Sequence, residues 1–200
     1  PQELSSEPDS SLDFSSAENG LADLATKVVN CKACSLHRTR QHTVFGAGSA
    51  AAECLFVGEA PGAEEDRRGL PFVGRAGQLL NAMIFALGLE RDQTYIANVL
   101  KCRPPDNRDP LGEEVRSCET YLHRQIELLE PRIIIALGRF AAQSLLKSSL
   151  PIGRLRGLRH SYEPFAIPLI ATYHPAYLLR SPLEKRKVWS DLRLAKTVLS

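Results

Sequence analysis

Residues 58–66 read GEAPGAEED, placing Glu59 and the adjacent acids Glu64, Glu65 and Asp66 around a glycine and proline turn, directly after the apolar run Cys54 to Val57. Carboxylates so placed suit proton transfer or the orientation of a water molecule, and the turn lets backbone N–H groups approach a ligand. Two further polar clusters share this setting. Asn98 leads into KCRPPDNRDP after a second apolar run, and His174 opens HPAYLLR after a later one.

Five cysteines form another constellation. Cys31 and Cys34 stand in CKAC, Cys102 follows a predicted strand, and Cys118 falls in a predicted helix. Cys54 lies inside an apolar strand and reads as a core residue. The chain is too long and too poor in cysteine for a secreted disulfide scaffold. Four thiolates converging on one centre fit a metal or cluster better. Their spacing alone suits structural zinc as well as an iron-sulfur cluster.

The elements that must position these residues follow from hydrophobic periodicity. Short apolar runs predict strands at Glu53 to Gly58, Thr94 to Leu100, Arg132 to Leu137 and Ile167 to Thr172. Helical patterns lie at Ala76 to Leu87, Gly112 to Leu129, Arg139 to Leu146 and Leu183 to Leu199; in the second, Val115, Cys118, Leu122, Ile126 and Leu129 make one apolar stripe. This alternation predicts a three-layer α/β/α fold around a four-stranded, mostly parallel sheet. Such sheets bind ligands outside the carboxyl ends of their strands, where all three polar clusters fall.

With 44% apolar and 24% charged residues, the 200-residue chain suits one domain, expected over residues 24–200. No stretch approaches the roughly 18 apolar residues of a membrane span, and no basic-then-apolar leader opens the chain. A cytoplasmic monomer without membrane association is the expectation. Residues 1–100 carry 8 Lys/Arg against 13 Asp/Glu, residues 101–200 carry 17 against 10. The basic half is the one suited to a polyanion, although a solvated surface explains the same excess. Residues 1–23 hold six acids, six serines and no base, and are expected to form a disordered or loosely docked acidic tail.

GEAPGAEED, GLPFVGRAGQLL (Gly69 to Leu80), YIANVLKCRPPDNRDP (Tyr95 to Pro110) and HPAYLLR (His174 to Arg180) together resemble the iron-sulfur uracil-DNA glycosylases, usually called family 4. The likeness runs from about Cys31 to the C-terminus. It implies hydrolysis of the N-glycosidic bond between uracil and deoxyribose in single- or double-stranded uracil-containing DNA, leaving an abasic site. The nucleotide must then be flipped into a pocket and read by its Watson-Crick edge.

By this resemblance Phe72 stacks on uracil, although on residue type alone a core phenylalanine is the commoner fate. The Asn98 carboxamide accepts from N3–H and donates to O4, a pattern that cytosine reverses. His174 donates to O2 as charge gathers there. The glycines and Pro61 shape a tight turn that sets Gly58 and Ala60 against the base, Glu59 orients water or offsets charge on the sugar, and Glu65 lines the side near uracil C5. Glu64 and Asp66 read as first-turn acids of a helix. Pro175, Tyr177, Leu178 and Arg180 are expected at the DNA, with Leu178 or Leu179 as a wedge in the base stack; an ordinary amphipathic helix start explains the same letters. The runs Gly153 to His160 and Glu184 to Trp189 would add attraction to the phosphate backbone. Cys31, Cys34, Cys102 and Cys118 correspond to ligands of a [4Fe-4S] cluster.

Two other classes of protein share part of this pattern. Relatives that capture the sugar covalently and do not turn over carry an extra basic loop ending in a histidine near the second strand; here that region reads RPPDNRDPLG without it. An electron carrier with no DNA role would leave Phe72, Asn98 and His174 unexplained.

Overall fold

The computed structural model describes residues 11–200, with side chains from residue 16 onward. Six strands make one sheet: β1 (Ala47–Gly48), β2 (Cys54–Gly58), β3 (Tyr95–Asn98), β4 (Ile133–Leu137), β5 (Arg159–Tyr162) and β6 (Ile167–Thr172), in the order β1-β3-β2-β4-β6-β5. The inner four are parallel and coincide with the four expected from sequence, while β1 and β5 are antiparallel edges. The expected four-stranded sheet is therefore corrected to six. β1 has only two residues, and in β5 (RHSY) only Tyr162 is buried, so neither shows an apolar run.

The helices are α1 (Ser11–Val29), α2 (Ala63–Arg68), α3 (Arg75–Ala86), α4 (Gly112–Leu129), α5 (Arg139–Leu146), α6 (Ile152–Leu155), α7 (Pro175–Arg180) and α8 (Lys185–Leu199). Period-two alternation divides the inner strands between two cores. Leu55, Val57, Ile134, Ala136, Leu169 and Ala171 face Leu122, Ile126 and Leu129 of α4 and Ala141, Ala142 and Leu145 of α5. Phe56, Ile133, Ile135, Leu137 and Ile170 face Leu80, Met83 and Ile84 of α3 and Val188, Leu192 and Ala195 of α8. Because β4 is covered on both sides, all five of its residues (IIIAL) are apolar and buried.

The acidic segment departs from expectation. Residues 1–10 lie outside the described residues, but residues 11–23 belong to α1. Leu21, Leu24 and Val28 are buried at three- and four-residue spacing, which gives the helix one apolar stripe. Gly20 allows α1 close to α4, since a Cβ there would stand 2.7 Å from Leu128. Composition pointed to disorder because the acids outnumber these few apolar positions.

The chain enters β2, moves outward to β3, then returns across β2 to β4. This reversal opens a crevice at the carboxyl ends of β2 and β4. Register fixes what meets there: Gly58 pairs with Asn98, and Leu137 with Thr172.

Candidate active site

A cavity of about 490 Å³ lies at that rim, lined among others by Glu59, Ala60, Glu65, Phe72, Asn98, His174, Tyr177 and Arg180. Its size falls in the range of roughly 300–1,000 Å³ common to ligand clefts. Eight of the residues singled out from sequence thus share one pocket, drawn from segments over a hundred positions apart.

Asn98 ends β3 and is 2% exposed, yet its side-chain carbonyl oxygen has no hydrogen-bond partner. A buried polar atom left unmatched costs about 1–3 kcal/mol, so the amide is set to meet a ligand. Gly58 opposes it across the sheet pairing. A Cβ there would run into that oxygen and stand 2.8 Å from the Phe72 ring, so only glycine leaves room for both groups.

Phe72 has a left-handed backbone, φ 51°, which costs a non-glycine residue about 1–3 kcal/mol. Two neighbours hold it there. Glu65 accepts hydrogen bonds from the Val73 and Gly74 N–H groups at 3.0 and 3.3 Å, and a Cβ at Gly77 would collide with the Phe72 carbonyl. Glu65 therefore lines the pocket with a carboxylate already committed to the Phe72 loop. Asp66 is buried and accepts from the Gln41 N–H at 3.0 Å, whereas Glu64 is a surface acid paired with Arg67 at 2.6 Å.

His174 precedes α7 and lies 5.5 Å from Phe72, ring centre to ring centre, at 31°. Its Nδ1 is within 3.1 Å of the Ala176 N–H, which donates to it. Nδ1 is thus the acceptor, and the neutral ring carries its proton on Nε2. Burial pulls the imidazole down to about 4, helped by Arg180 and opposed by Glu65, so a neutral donor persists at ordinary pH. Gly138, after β4, permits this approach: its φ is +92° and a Cβ would stand 2.9 Å from that of His174.

Glu59 follows β2 at the pocket wall. Burial raises its carboxyl above the ordinary range, Asp109 adds to the rise, and Arg139 opposes it.

The structure also corrects parts of the expected DNA face. Leu178 is 1% exposed and packs into the core beside α3, and Pro175 is buried at the first turn of α7, so neither side chain stands on the surface. Leu179 and Tyr177 are exposed at 39% and 37%. Arg156, in the basic run after Gly153, is tied to buried Asp191 at 2.7 Å and is structural. Sequence reasoning passed over Arg108 and Asn107, which also line the pocket. Arg108 forms a two-pronged pair with buried Glu114, at 2.6 and 2.9 Å; the polar run PPDNRDP was the available signal.

Some way along the same sheet edge, Cys31, Cys34, Cys102 and Cys118 line one small cavity with Arg40, Lys101 and Tyr121. All four are free thiols. Arg40 donates to Cys102 Sγ at 3.1 Å and the Lys101 N–H to Cys118 Sγ at 3.3 Å. This donor set fits a thiolate-held group, with N–H donors already turned to two sulfurs. Among the described residues no three His, Cys, Asp or Glu side chains form a group that could hold a single metal ion. Cys54 is a core residue, as expected.

A parallel sheet with its pocket at the topological reversal, holding an aromatic ring, an unmatched amide and a neutral imidazole, defines a base-binding α/β protein. The chain belongs to the uracil DNA glycosylase superfamily, whose pattern matches residues 45–193. It is 45% identical over 179 residues to a type-4 uracil-DNA glycosylase of Archaeoglobus fulgidus, covering 86% of this chain and 90% of that protein. The type-4 uracil-DNA glycosylase of Thermotoga maritima is 40% identical, with 88% and 93% covered. A type-5 uracil-DNA glycosylase of Pyrobaculum aerophilum is 30% identical, with 78% and 82% covered. No helix among the described residues is long and apolar enough to cross a membrane.

Proposed function

We propose that this chain is a monofunctional uracil-DNA glycosylase of the type-4 group, which flips uracil out of DNA and hydrolyses its glycosidic bond. The observation that carries the reading is the orphaned Asn98 oxygen, beside a ring pair suited to stack on and polarise a base. Uracil N3–H satisfies that oxygen while the amide N–H donates to O4. Cytosine offers an acceptor at N3 and a donor at N4, so both partners would be left unmatched.

Phe72 supplies the stacking plane. The C1′–N1 bond breaks with its electron pair moving onto the base, and His174 Nε2–H donates to O2, where charge accumulates. Water adds to C1′, oriented by Glu59, whose carboxylate takes the released proton. Tyr177, Leu179 and Arg180 meet the DNA around the flipped nucleotide, with Arg180 on a phosphate.

Cys31, Cys34, Cys102 and Cys118 would hold a [4Fe-4S] cluster. Four thiols lining one cavity suit such a group, and the resemblance to the iron-sulfur glycosylases favours it over zinc. When bound, the cluster cross-links the segment after α1, the segment after β3, and α4. Its iron and sulfide content, with a broad visible absorption, would distinguish it from zinc.

Covalent capture of the sugar without turnover remains the second reading. The uninserted RPPDNRDPLG loop weighs against it. Uracil-containing and matched thymine-containing oligonucleotides, treated with alkali after incubation, test turnover. Strand scission confined to uracil supports it, and a protein-DNA adduct that survives denaturation would replace it with capture.

A further inference from the structure

Behind the pocket, a buried polar network joins the main chain of Asn98 to the cysteine site, and nothing in the excision chemistry uses it. Lys101 is 1% exposed. Its ammonium donates to the Asn98 carbonyl oxygen at 2.8 Å and to Gln125 Oε1 at 2.5 Å. Gln125 is itself fully buried and donates to the Phe45 carbonyl at 3.0 Å. The Lys101 main chain is anchored as well: its N–H donates to Cys118 Sγ at 3.3 Å and its carbonyl accepts from Val44 at 2.8 Å. Lys101 also lines the cysteine cavity.

An apolar side chain would fill this space without a buried cation to solvate. The cation is placed where it grips the main chain of the residue whose side chain faces the pocket, while the main chain of the same lysine donates to a cysteine sulfur. We propose that Lys101 is a positioning residue that fixes the Asn98 backbone and thereby couples uracil binding to the charge at the cysteine centre. The coupling is reciprocal: a change at either site that shifts the Lys101 contacts is felt at the other. This inference rests on Asn98 as the uracil reader and on the thiols as cluster ligands.

The test is Lys101→Met in the iron-loaded protein, which keeps the stem and removes the donors. Inhibition by free uracil and the cluster reduction potential, with and without uracil, are measured. Uracil is expected to bind on the order of tenfold more weakly. The potential falls, because a nearby positive charge favours the reduced form, and the uracil-dependent shift of the wild type is lost. A merely structural lysine would lower the melting temperature and leave uracil affinity and potential unchanged; that result overturns the inference. Should K101M fail to fold, Gln125→Leu keeps the ammonium and removes one acceptor: a smaller weakening of uracil binding supports the coupling, and none refutes it. Wild-type iron content and uracil excision are assayed alongside. Failure there sinks the underlying reading, whereas normal wild-type behaviour with an indifferent K101M sinks only this inference.

Discussion

The Ala176 N–H donates to His174 Nδ1 at 3.1 Å, and this single bond decides which ring nitrogen faces the pocket with a proton. His174 is the first residue outside the short helix α7, so its tautomer is set by the helix end and its position by Gly138. Removing one preorganised donor to a developing anion typically costs about 2.7–4 kcal/mol. His174→Ala is therefore expected to lower the single-turnover excision rate by roughly 10²–10³-fold with little change in DNA affinity. Rapid-quench kinetics and a binding titration separate the two.

The same histidine makes stability depend on acid. Burial holds it at about 4 in the fold against 6.5 ordinarily. Between those values the unfolded chain binds a proton that the native chain does not, so stability falls as pH drops from about 6.5 to about 4, by up to about 1.4 kcal/mol per pH unit. His174→Gln should flatten that part of the profile. Urea midpoints across the window measure it.

Glu59 must be ionised to accept a proton from water, and its carboxyl titrates above the ordinary range. The excision rate is expected to decline on the acid side with a midpoint above that of a free glutamate, about 4.3. Glu59→Gln should remove this limb and lower the rate by about 10²–10⁴-fold. A pH-rate profile under single-turnover conditions reads both effects.

Asn98→Asp tests base discrimination. Replacing the amide N–H donor by a carboxylate oxygen leaves uracil O4 unmatched, a loss of about 1–3 kcal/mol. Uracil excision should fall by roughly tenfold to a hundredfold, while Asn98→Leu should lose the discrimination altogether. Rates on uracil and cytosine oligonucleotides are the measurement.

Leu21→Ala is expected to destabilise the protein by about 2–5 kcal/mol, because α1 buries that side chain against the sheet's α4 face. A truly loose segment would give no change in the denaturation midpoint.

What could be read in the sequence, and what could not, follows from the range of each signal. The inner strands announced themselves as apolar runs because both their faces are covered, and α4 through its stripe. Strand β5 and helix α1 owe their places to tertiary packing: an edge strand with one buried residue has no run to detect, and Leu21, Leu24 and Val28 are too few to outweigh the surrounding acids. The family was legible from GEAPGAEED, Asn98 and HPAYLLR, and the comparisons bear it out. Convergence of Phe72, Asn98 and His174 was expected from their places at strand ends, and the pairings of Gly58 with Asn98 and of Leu137 with Thr172 supply the register. Leu178 was misplaced because a one-residue shift on a short helix exchanges the buried face for the exposed one. Lys101 gave no signal, since a lysine beside a cysteine in sequence reads as surface.

The most direct test is single-turnover incubation with an oligonucleotide bearing one uracil and a twin bearing thymine, followed by alkaline scission. Cleavage at the uracil position alone, slowed by about tenfold or more in both Asn98→Asp and His174→Ala, is the expected result. Undiminished cleavage in those two variants, or none in the unaltered protein, would contradict a pocket in which amide and imidazole hold the departing base.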